Sequence, residues 1–295
     1  MDAEDDIIDL TPDLLLSAYA AGVFPMAEGR HDGSIGWYDP PMRGILPLDA
    51  LHVPARLRRT VRAQVYDVTF NTDFAYVIRA CADARVETWI NDIIIDLYTK
   101  THHRGFAHSA EVRDKQSGQI VGGLYGIALG GAFFGESMFS HARDASKVGF
   151  VHLAARLRAR GFTLWDAQFV NPHLLQFGCI EMPRREYHKR LQAALARSDV
   201  RFMRGGLGYS GLASVSRDSI YTSSGAGADV DVSDEGTLPA GGIPPTGFSA
   251  AAAAAAAAAS AAASGVASAV GSASDENFSD FADVTDFLQS ITQTS

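Results

Sequence analysis

The sequence predicts an α+β fold built around an antiparallel β-meander that is followed by a helix and one more strand. Three runs rich in apolar, β-branched and aromatic residues are separated by turn residues, and Gly130-Gly131 is a favoured two-residue hairpin turn. The next stretch repeats apolar residues at helical spacing and ends at Gly161, as helices commonly do. The patterns predict strands over 110–113, 120–128, from 132 onward and over 162–169, with a helix capped by Asp144 or Ser146 before the last strand.

We expect a small N-terminal domain over residues 1–44 and a main domain over residues 45–204. The meander lies inside the main domain. Thr11 and Pro12 form a typical helix start, with Thr11 as the N-cap and Pro12 at the first helical position. The N-terminal domain is too small to hold much core, so we expect it to pack on the main domain. In the main domain we expect further strands over 44–48 and 66–71, and helices over 54–62, 72–82, 92–103 and from about 183 to 196.

The composition changes at Gly205, and residues 205–295 form a low-complexity acidic tail rich in Ala, Gly and Ser. Up to residue 274 the tail lacks the apolar residues that offset ordering entropy, which predicts disorder or loose helix. A chain ending near Gly206 is therefore expected to keep its fold, melting temperature and activity. Closer to the end, Val284, Leu288 and Ile291 form an apolar stripe with Phe281, which is either a docking motif or fortuitous.

The net charge of −9 comes from the tail, which holds ten of the 34 acidic residues and one of the 25 basic residues. The body is thus neutral, but its bases cluster around Arg56–Arg62, Arg156–Arg160 and Arg184–Arg190, where they either contact phosphates or form solvated helix faces. The two cysteines show no disulfide or zinc-site spacing, and the acidic N-terminus is not a secretory signal. These features favour a cytoplasmic protein, and the tail does not resemble a membrane span.

Asp166 and Gln168 are the polar pair that most suggests a functional site. They lie two residues apart on a predicted strand, so their side chains share a face with Phe162 and Leu164. A carboxylate and an amide on a partly apolar face need hydrogen-bond partners or a chemical role. The alternative to a catalytic role is a buried structural carboxylate.

The body resembles the bacterial leucyl/phenylalanyl-tRNA–protein transferase family from about Leu10 to Leu191. Each matching string is weak alone, but about eight strings in the same order are highly specific. The strings include Ala18-Tyr19, Gly22-Val23-Phe24-Pro25, Thr88-Trp89-Ile90, Ala107-His108-Ser109-Ala110-Glu111-Val112, Gly122-Gly123-Leu124-Tyr125-Gly126, Phe133-Phe134-Gly135-Glu136-Ser137, Asp166-Ala167-Gln168 and Arg185-Glu186-Tyr187.

The resemblance implies a fold and an activity. The main domain would be of the acyl-CoA N-acyltransferase (GNAT) type, beside a small N-terminal domain and a disordered tail. The activity would be transfer of Leu or Phe, less readily Met, from the 3′ end of aminoacyl-tRNA to the N-terminal Arg or Lys of acceptor proteins. That product is a degradation signal in the N-end rule pathway. An aminoacyl ester is already activated, so no cofactor or metal is expected.

The resemblance also implies roles for individual residues. Asp166 would polarise Gln168, Gln168 would contact the attacking amine, and Glu136 would position the aminoacyl group. Leu124 and Phe133 would line an apolar pocket for the donor side chain, and Trp89 would stack on the terminal adenine of the tRNA. Met26 stands where some relatives carry a second Trp, and Asn171, at the start of a helical turn, is a further substrate-binding candidate. Replacing Asp166 or Gln168 with Ala is expected to slow transfer by about 10²-fold or more while the protein still folds.

Three other classes of protein fit the sequence less well. A small-molecule N-acetyltransferase using acetyl-CoA needs a glycine-rich pyrophosphate loop before the helix at Ser146, and residues 140–145 contain no glycine. A non-catalytic RNA-binding protein explains the arginine clusters but not the catalytic-type residues. A metalloenzyme is disfavoured because the nine histidines show no ligand spacing.

Overall fold

The computed structural model describes residues 10–204 and 280–291. These residues form helices and strands in the following order: α1 Pro12–Ala20, β1 Phe24–Ala27, β2 Ile35–Tyr38, β3 Met42–Leu46, α2 Ala55–Arg62, β4 Tyr66–Phe70, α3 Phe74–Asp83, α4 Asp92–His103, β5 Ala107–Asp114, β6 Ile120–Leu129, β7 Ala132–Ser140, α5 Ala145–Ala159, β8 Leu164–Gln168, α6 Pro172–Leu175, β9 Ile180–Pro183, α7 Arg184–Leu195 and α8 Asp280–Ser290. None of the described helices is long and apolar enough to cross a membrane.

The main structural feature is a seven-stranded mixed sheet with strand order β4-β5-β6-β7-β8-β3-β9. The predicted meander is present as β5, β6 and β7, which pair antiparallel. α5 follows it and leads to β8, which pairs parallel with β7. Strand β3 comes from early in the chain but lies between β8 and β9, antiparallel to both. The α+β prediction is therefore confirmed.

Two apolar clusters cover the two faces of this sheet. The α5 cluster lies between the sheet and α5 and includes Phe133, Phe150 and Trp165. The α4 cluster lies on the opposite face, against α1, α3, α4 and α7, and includes Tyr125 and Phe134. Because side chains alternate along a strand, Phe133 and Phe134 belong to different clusters.

The N-terminal unit packs on the large sheet. Thr11 caps α1 by accepting a hydrogen bond from the Leu14 N–H at 3.2 Å, as predicted. Strands β1 and β2 form a separate two-stranded sheet. The α1 residues Leu15 and Tyr19 are fully buried in the α4 cluster, as expected for a unit that lacks a core of its own. Strand β3 crosses the predicted boundary at residue 44 and belongs to the large sheet.

The last helix, α8, packs on α5. Its Val284, Phe287 and Leu288 side chains, and that of Ile291 directly after it, are buried in the α5 cluster. Arg158 of α5 donates a hydrogen bond to Ser290 Oγ at 2.7 Å. Of the two interpretations of the apolar stripe, docking is therefore the one that the structure supports. The predicted disorder concerns residues 205–274, which lie outside the described residues.

Two arginines of α5, Arg156 and Arg158, contact other parts of the protein rather than forming a phosphate-binding surface. Arg156 is 2% exposed, donates to the carbonyl of Phe202 at 3.1 Å and lies over the Phe70 ring at 4.4 Å. Arg158 lies over the Phe287 ring of α8 at 5.9 Å. Of the two alternatives for this cluster, neither phosphate contact nor a solvated helix face holds for Arg156, because its side chain is buried. On α2, Arg59 and Arg62 remain exposed.

Candidate active site

The candidate site lies where β7 and β8 separate. The two strands pair parallel from Ala132 with Leu164 up to Phe134 with Asp166. Beyond that point β7 continues beside β6, while β8 continues beside β3 through a register shift. Glu136 and Gln168 lie on the two sides of the resulting gap, and Gln168 Nε2 donates to Glu136 Oε1 at 3.2 Å. The structure thus brings together the carboxylate and the amide that the sequence analysis selected.

Glu136 is directed into the site by a β-bulge. Tyr125 pairs with Ser137 and Gly126 pairs with Gly135, so Glu136 is the extra residue of β7. Bulges re-aim side chains and are common next to active sites. A Cβ atom added at Gly126 would lie 2.2 Å from the carbonyl oxygen of Phe134, a distance that real Cβ atoms do not tolerate. The bulge therefore requires glycine at position 126.

The Glu136 carboxylate is held by hydroxyl groups from two helices. Tyr19 of α1 donates to Oε1 at 2.7 Å, and Tyr98 of α4 donates to Oε2 at 3.3 Å. The two tyrosine hydroxyls also contact each other. Burial, supported by the charge of Asp166, raises the pKa of Glu136 to about 8 although the tyrosine hydrogen bonds oppose this. Burial likewise raises the pKa of Tyr19 and Tyr98 well above its usual range, so both remain neutral donors.

Asp166 lies in a closed network of donors. Its side chain is 0% exposed and forms an ion pair with Arg43, which is also 0% exposed. Arg43 Nε donates to both carboxylate oxygens at 3.0 Å, and a second guanidinium nitrogen donates to Oδ2 at 2.8 Å. The Tyr187 hydroxyl donates to Oδ2 at 2.7 Å, and the Gln168 N–H donates to Oδ1 at 2.8 Å. Each carboxylate oxygen therefore accepts at least two hydrogen bonds.

Arg43 is fixed as firmly as its partner. Its guanidinium lies between two rings, 4.6 Å from the Phe24 centroid and 4.5 Å from the Tyr187 centroid. It also donates to the carbonyl of Gly22 at 3.0 Å. Burial alone would lower the pKa of Arg43, but the Asp166 charge raises it above the ordinary value, so Arg43 stays charged. The ion pair therefore joins the N-terminal unit, β3, β8 and α7.

Gln168 is held in an uncommon backbone conformation. Its φ is 58°, in the left-handed region that a non-glycine residue rarely adopts. Asp166 supports this turn by accepting the Gln168 backbone N–H, while the Gln168 side chain is free to reach Glu136. The contact expected between the Asp166 and Gln168 side chains is thus replaced by a contact through the backbone. Both side chains lie on the α4-cluster side of the sheet, whereas Phe162 precedes β8 and lies in the α5 cluster.

The predicted substrate-binding residues occupy three separate positions. Leu124 and Phe133 are 3% and 1% exposed in the α5 cluster, behind the strand gap. Met26 and Trp89 are partly buried at the edge of the α4 cluster, and the Ala27 N–H donates to the Trp89 carbonyl at 3.3 Å, which brings their segments together. Asn171 is exposed and caps α6 by accepting the Leu174 N–H at 3.0 Å.

Four residues of the site were absent from the sequence-based selection. Tyr19, Tyr98 and Tyr187 provide hydroxyl donors, and Arg43 provides the counter-charge of Asp166. Tyr19 and Tyr187 lie within strings that carry the family resemblance, which was the available signal. Arg43 stands outside those strings, and nothing in its local pattern distinguishes it from a surface arginine.

Comparison with known proteins identifies the family. The sequence model of the family described as "Leucyl/phenylalanyl-tRNA protein transferase" matches residues 45–192, and that of its N-terminal domain matches residues 8–41. A leucyl/phenylalanyl-tRNA–protein transferase of Cereibacter sphaeroides is 57% identical over 187 residues, which are 63% of this chain and 86% of the relative. One of Paramagnetospirillum magneticum is 57% identical over 190 residues, covering 63% of this chain and 90% of the relative.

A solved structure, that of L-PGS from Bacillus licheniformis, matches with a TM-score of 0.32 and 13% identity over 52% of this chain and 50% of that one. That similarity is too low to assign a fold. The sequence matches cover both the N-terminal unit and the main domain, including Glu136, Asp166 and Gln168. The chain therefore belongs to the leucyl/phenylalanyl-tRNA protein transferase family and is an aminoacyltransferase.

Proposed function

We propose that this enzyme transfers Leu or Phe, and less readily Met, from aminoacyl-tRNA to the N-terminal Arg or Lys of acceptor proteins. The observation that carries the proposal is the Glu136–Gln168 pair at the strand gap, held by Tyr19 and Tyr98 on one side and Asp166 on the other. We propose the preference for these amino acids and acceptors by analogy with the family. By the same analogy we propose a role in N-end rule degradation, a GNAT-type fold and a cytoplasmic location.

Aminoacyl transfer requires that the ester and the amine be positioned together, and it needs no external energy source. An aminoacyl ester is activated, so holding ester and amine together supplies much of the rate enhancement. In this proposal the apolar donor side chain enters next to Leu124 and Phe133, which are buried in the α5 cluster and have to move apart to admit it. Trp89 stacks on the terminal adenine of the tRNA, with Met26 on the neighbouring segment. Gln168 then faces the ester carbonyl and the amine.

The proposed function predicts transfer that depends on both substrates. Labelled Leu-tRNA and a peptide that begins with Arg should yield labelled peptide when the enzyme is added, whereas a peptide that begins with Asp should not. Gln168→Ala should lower the transfer rate by about 10²-fold because it removes a polar group from the reacting centre. Excess acetyl-CoA should leave the rate unchanged. No transfer by the wild-type enzyme, or competition by acetyl-CoA, would contradict the proposal.

Gly126→Ala should reduce transfer although residue 126 contacts no substrate in this proposal. The added Cβ meets the Phe134 carbonyl, so the bulge must shift and carry Glu136 away from its position. A displacement of about 1 Å can cost about 10²-fold in rate. The transfer rate and melting temperature are measured beside Gly29→Ala, since a Cβ at Gly29 meets nothing within 4 Å. A wild-type rate in Gly126→Ala would show that the bulge does not position Glu136.

A further inference from the structure

We infer that Glu136 accepts the proton that the attacking α-amino group must lose, whereas Asp166 and Gln168 position the reacting groups. This inference rests on the proposed function and names the proton acceptor for it. It departs from the expectation that Asp166 activates the amine through Gln168. The argument concerns the access of each group to the gap and the hydrogen bonds that it already makes.

Asp166 is unsuited to accept a proton from substrate. It is 0% exposed and is surrounded by Arg43, Tyr187 and the Gln168 backbone, so no substrate amine can reach it. A carboxylate that receives a buried bidentate guanidinium is stabilised in its ionised form. Protonating it would leave the Arg43 charge buried without a counter-charge, which is costly. Asp166 therefore holds Gln168 in its left-handed conformation and is a positioning residue.

Gln168 is unsuited for a chemical reason. A carboxamide has no basic lone pair near neutral pH, and its Nε2 already donates to Glu136. Its Oε1 can accept a hydrogen bond from the amine and orient it, but it cannot hold the proton. The next group in the hydrogen-bonded chain from Gln168 is the Glu136 carboxylate, which stands at the strand gap and is only partly buried.

The surroundings of Glu136 suit a base that works near neutral pH. Several titratable or charged groups face it or its neighbours: Tyr19 of α1, Tyr98 of α4, Tyr125 of β6, Cys81 of α3, Arg43 of β3 and Asp166 of β8. Burial raises the pKa of the three tyrosines and of the Cys81 thiol well above their usual ranges, so none of them titrates near neutrality. Arg43 and Asp166 remain paired. Glu136, with a pKa of about 8, lies close to the pKa of an α-amino group, about 7.7–8.0, which is the match that efficient proton transfer favours.

The proposed step conserves atoms and charge. The neutral α-amino nitrogen bonds to the ester carbonyl carbon, and the carbonyl electron pair moves onto its oxygen. The nitrogen, now positive, gives one proton to the Glu136 carboxylate. The carbonyl re-forms as the bond between carbon and the ribose oxygen breaks, and that oxygen takes the proton from Glu136. Ester and amine become amide and ribose hydroxyl, and Glu136 returns to its starting state.

The test compares the pH dependence of kcat for the wild type and Glu136→Gln, with Leu-tRNA and an Arg-peptide at saturation. The substrate amine titrates in both proteins, so it cancels in the ratio of the two kcat values. If Glu136 is the base, the ratio rises about tenfold per pH unit up to a pH of about 8 and then levels off, reaching about 10²–10⁴. A ratio that does not change with pH would overturn the inference.

Two further measurements keep the test decisive. Glu136→Asp retains a carboxylate, so its ratio to Glu136→Gln should also rise with pH even if its rate is lower than that of the wild type. Glu181→Gln removes an exposed carboxylate of the edge strand β9 and should keep the wild-type profile. Absence of transfer by the wild type would instead contradict the proposed function, so the two failures are distinguishable.

The stability of the free enzyme provides a readout that does not depend on turnover. The pKa of Glu136 is raised in the folded protein from 4.5 to about 8, so the folded state binds more protons between these values. The stability from this group is fully present below pH 4.5 and is lost as the pH rises through 8. The wild-type melting temperature should therefore fall relative to that of Glu136→Gln across this range. Parallel curves would show that Glu136 titrates normally and would contradict the inference.

Discussion

Replacing Arg43 with Met is expected to destabilise the protein by about 3–5 kcal/mol, because it leaves the Asp166 carboxylate buried without its counter-charge. At about 2–4 °C per kcal/mol for a protein of this size, the melting temperature should fall by about 10 °C. Transfer should also fall, since Asp166 then no longer fixes the backbone of Gln168. Asp166→Ala should also destabilise the protein, because it leaves the Arg43 guanidinium buried without its counter-charge. The sequence predicted that Asp166→Ala still folds, and from the structure we expect it to be clearly less stable than the wild type.

A double variant separates stability from activity. Combining Arg43→Met with Asp166→Leu removes both charges, so the protein should be more stable than either single variant. It should nevertheless remain inactive, because the Gln168 N–H has lost its acceptor. Asp96→Asn serves as the control, since it breaks the exposed Asp96–Lys100 pair and should leave the melting temperature nearly unchanged. If Arg43→Met melts like the wild type, the buried ion pair is not important for stability.

Detaching α8 is expected to have the second largest effect. Phe287→Asp places a charge where a side chain is 4% exposed in the α5 cluster, so the helix should leave α5 and expose the apolar surface beneath it. The cost is limited by the docking free energy of the helix, on the order of a few kcal/mol. We expect a lower melting temperature and stronger binding of an apolar dye. A chain ending near residue 206 should behave in the same way.

The control for this prediction is Gln289→Asp, which adds the same charge on the exposed side of α8. It should keep the melting temperature and dye binding of the wild type. The sequence-based expectation was that a chain ending near Gly206 loses nothing. Unchanged melting and solubility in the truncated chain would support that earlier expectation and would show that α8 contributes little to the body.

Local patterns predicted the local structure well, while partners distant in the chain stayed hidden. Helix α4 was predicted over 92–103, the residues that it occupies, and in the structure Asn91 is its N-cap. The meander followed from its turns. By contrast, β3 has only five residues, and periodicity tells which side of a strand is buried but not which strand lies beside it.

The same limit explains what was missed in the site. Asp166 was selected from its position on an apolar strand, but its partner Arg43 lies 123 residues earlier in the chain. The position of Glu136 depends on a bulge, which adds one residue to a strand and shifts the alternation on which sequence patterns rely. Of the docked side chains, Val284, Leu288 and Ile291 were predicted as part of a stripe, but a stripe does not specify what it packs on, and Phe287 was not predicted.

The position of β3 between β8 and β9 has a consequence for how the protein folds during its synthesis on the ribosome. Chains emerge from the N-terminus at about 5–20 residues per second, so β3 waits for several seconds before β8 and β9 follow. Contacts of such large sequence separation form late in folding, because the loop entropy must be lost first. The Arg43–Asp166–Tyr187 network therefore closes only after nearly the whole body has been synthesised. Nascent or prematurely terminated chains that lack Tyr187 cannot complete the candidate active site, so translation has to finish the body before this enzyme draws on the charged tRNA that translation itself consumes.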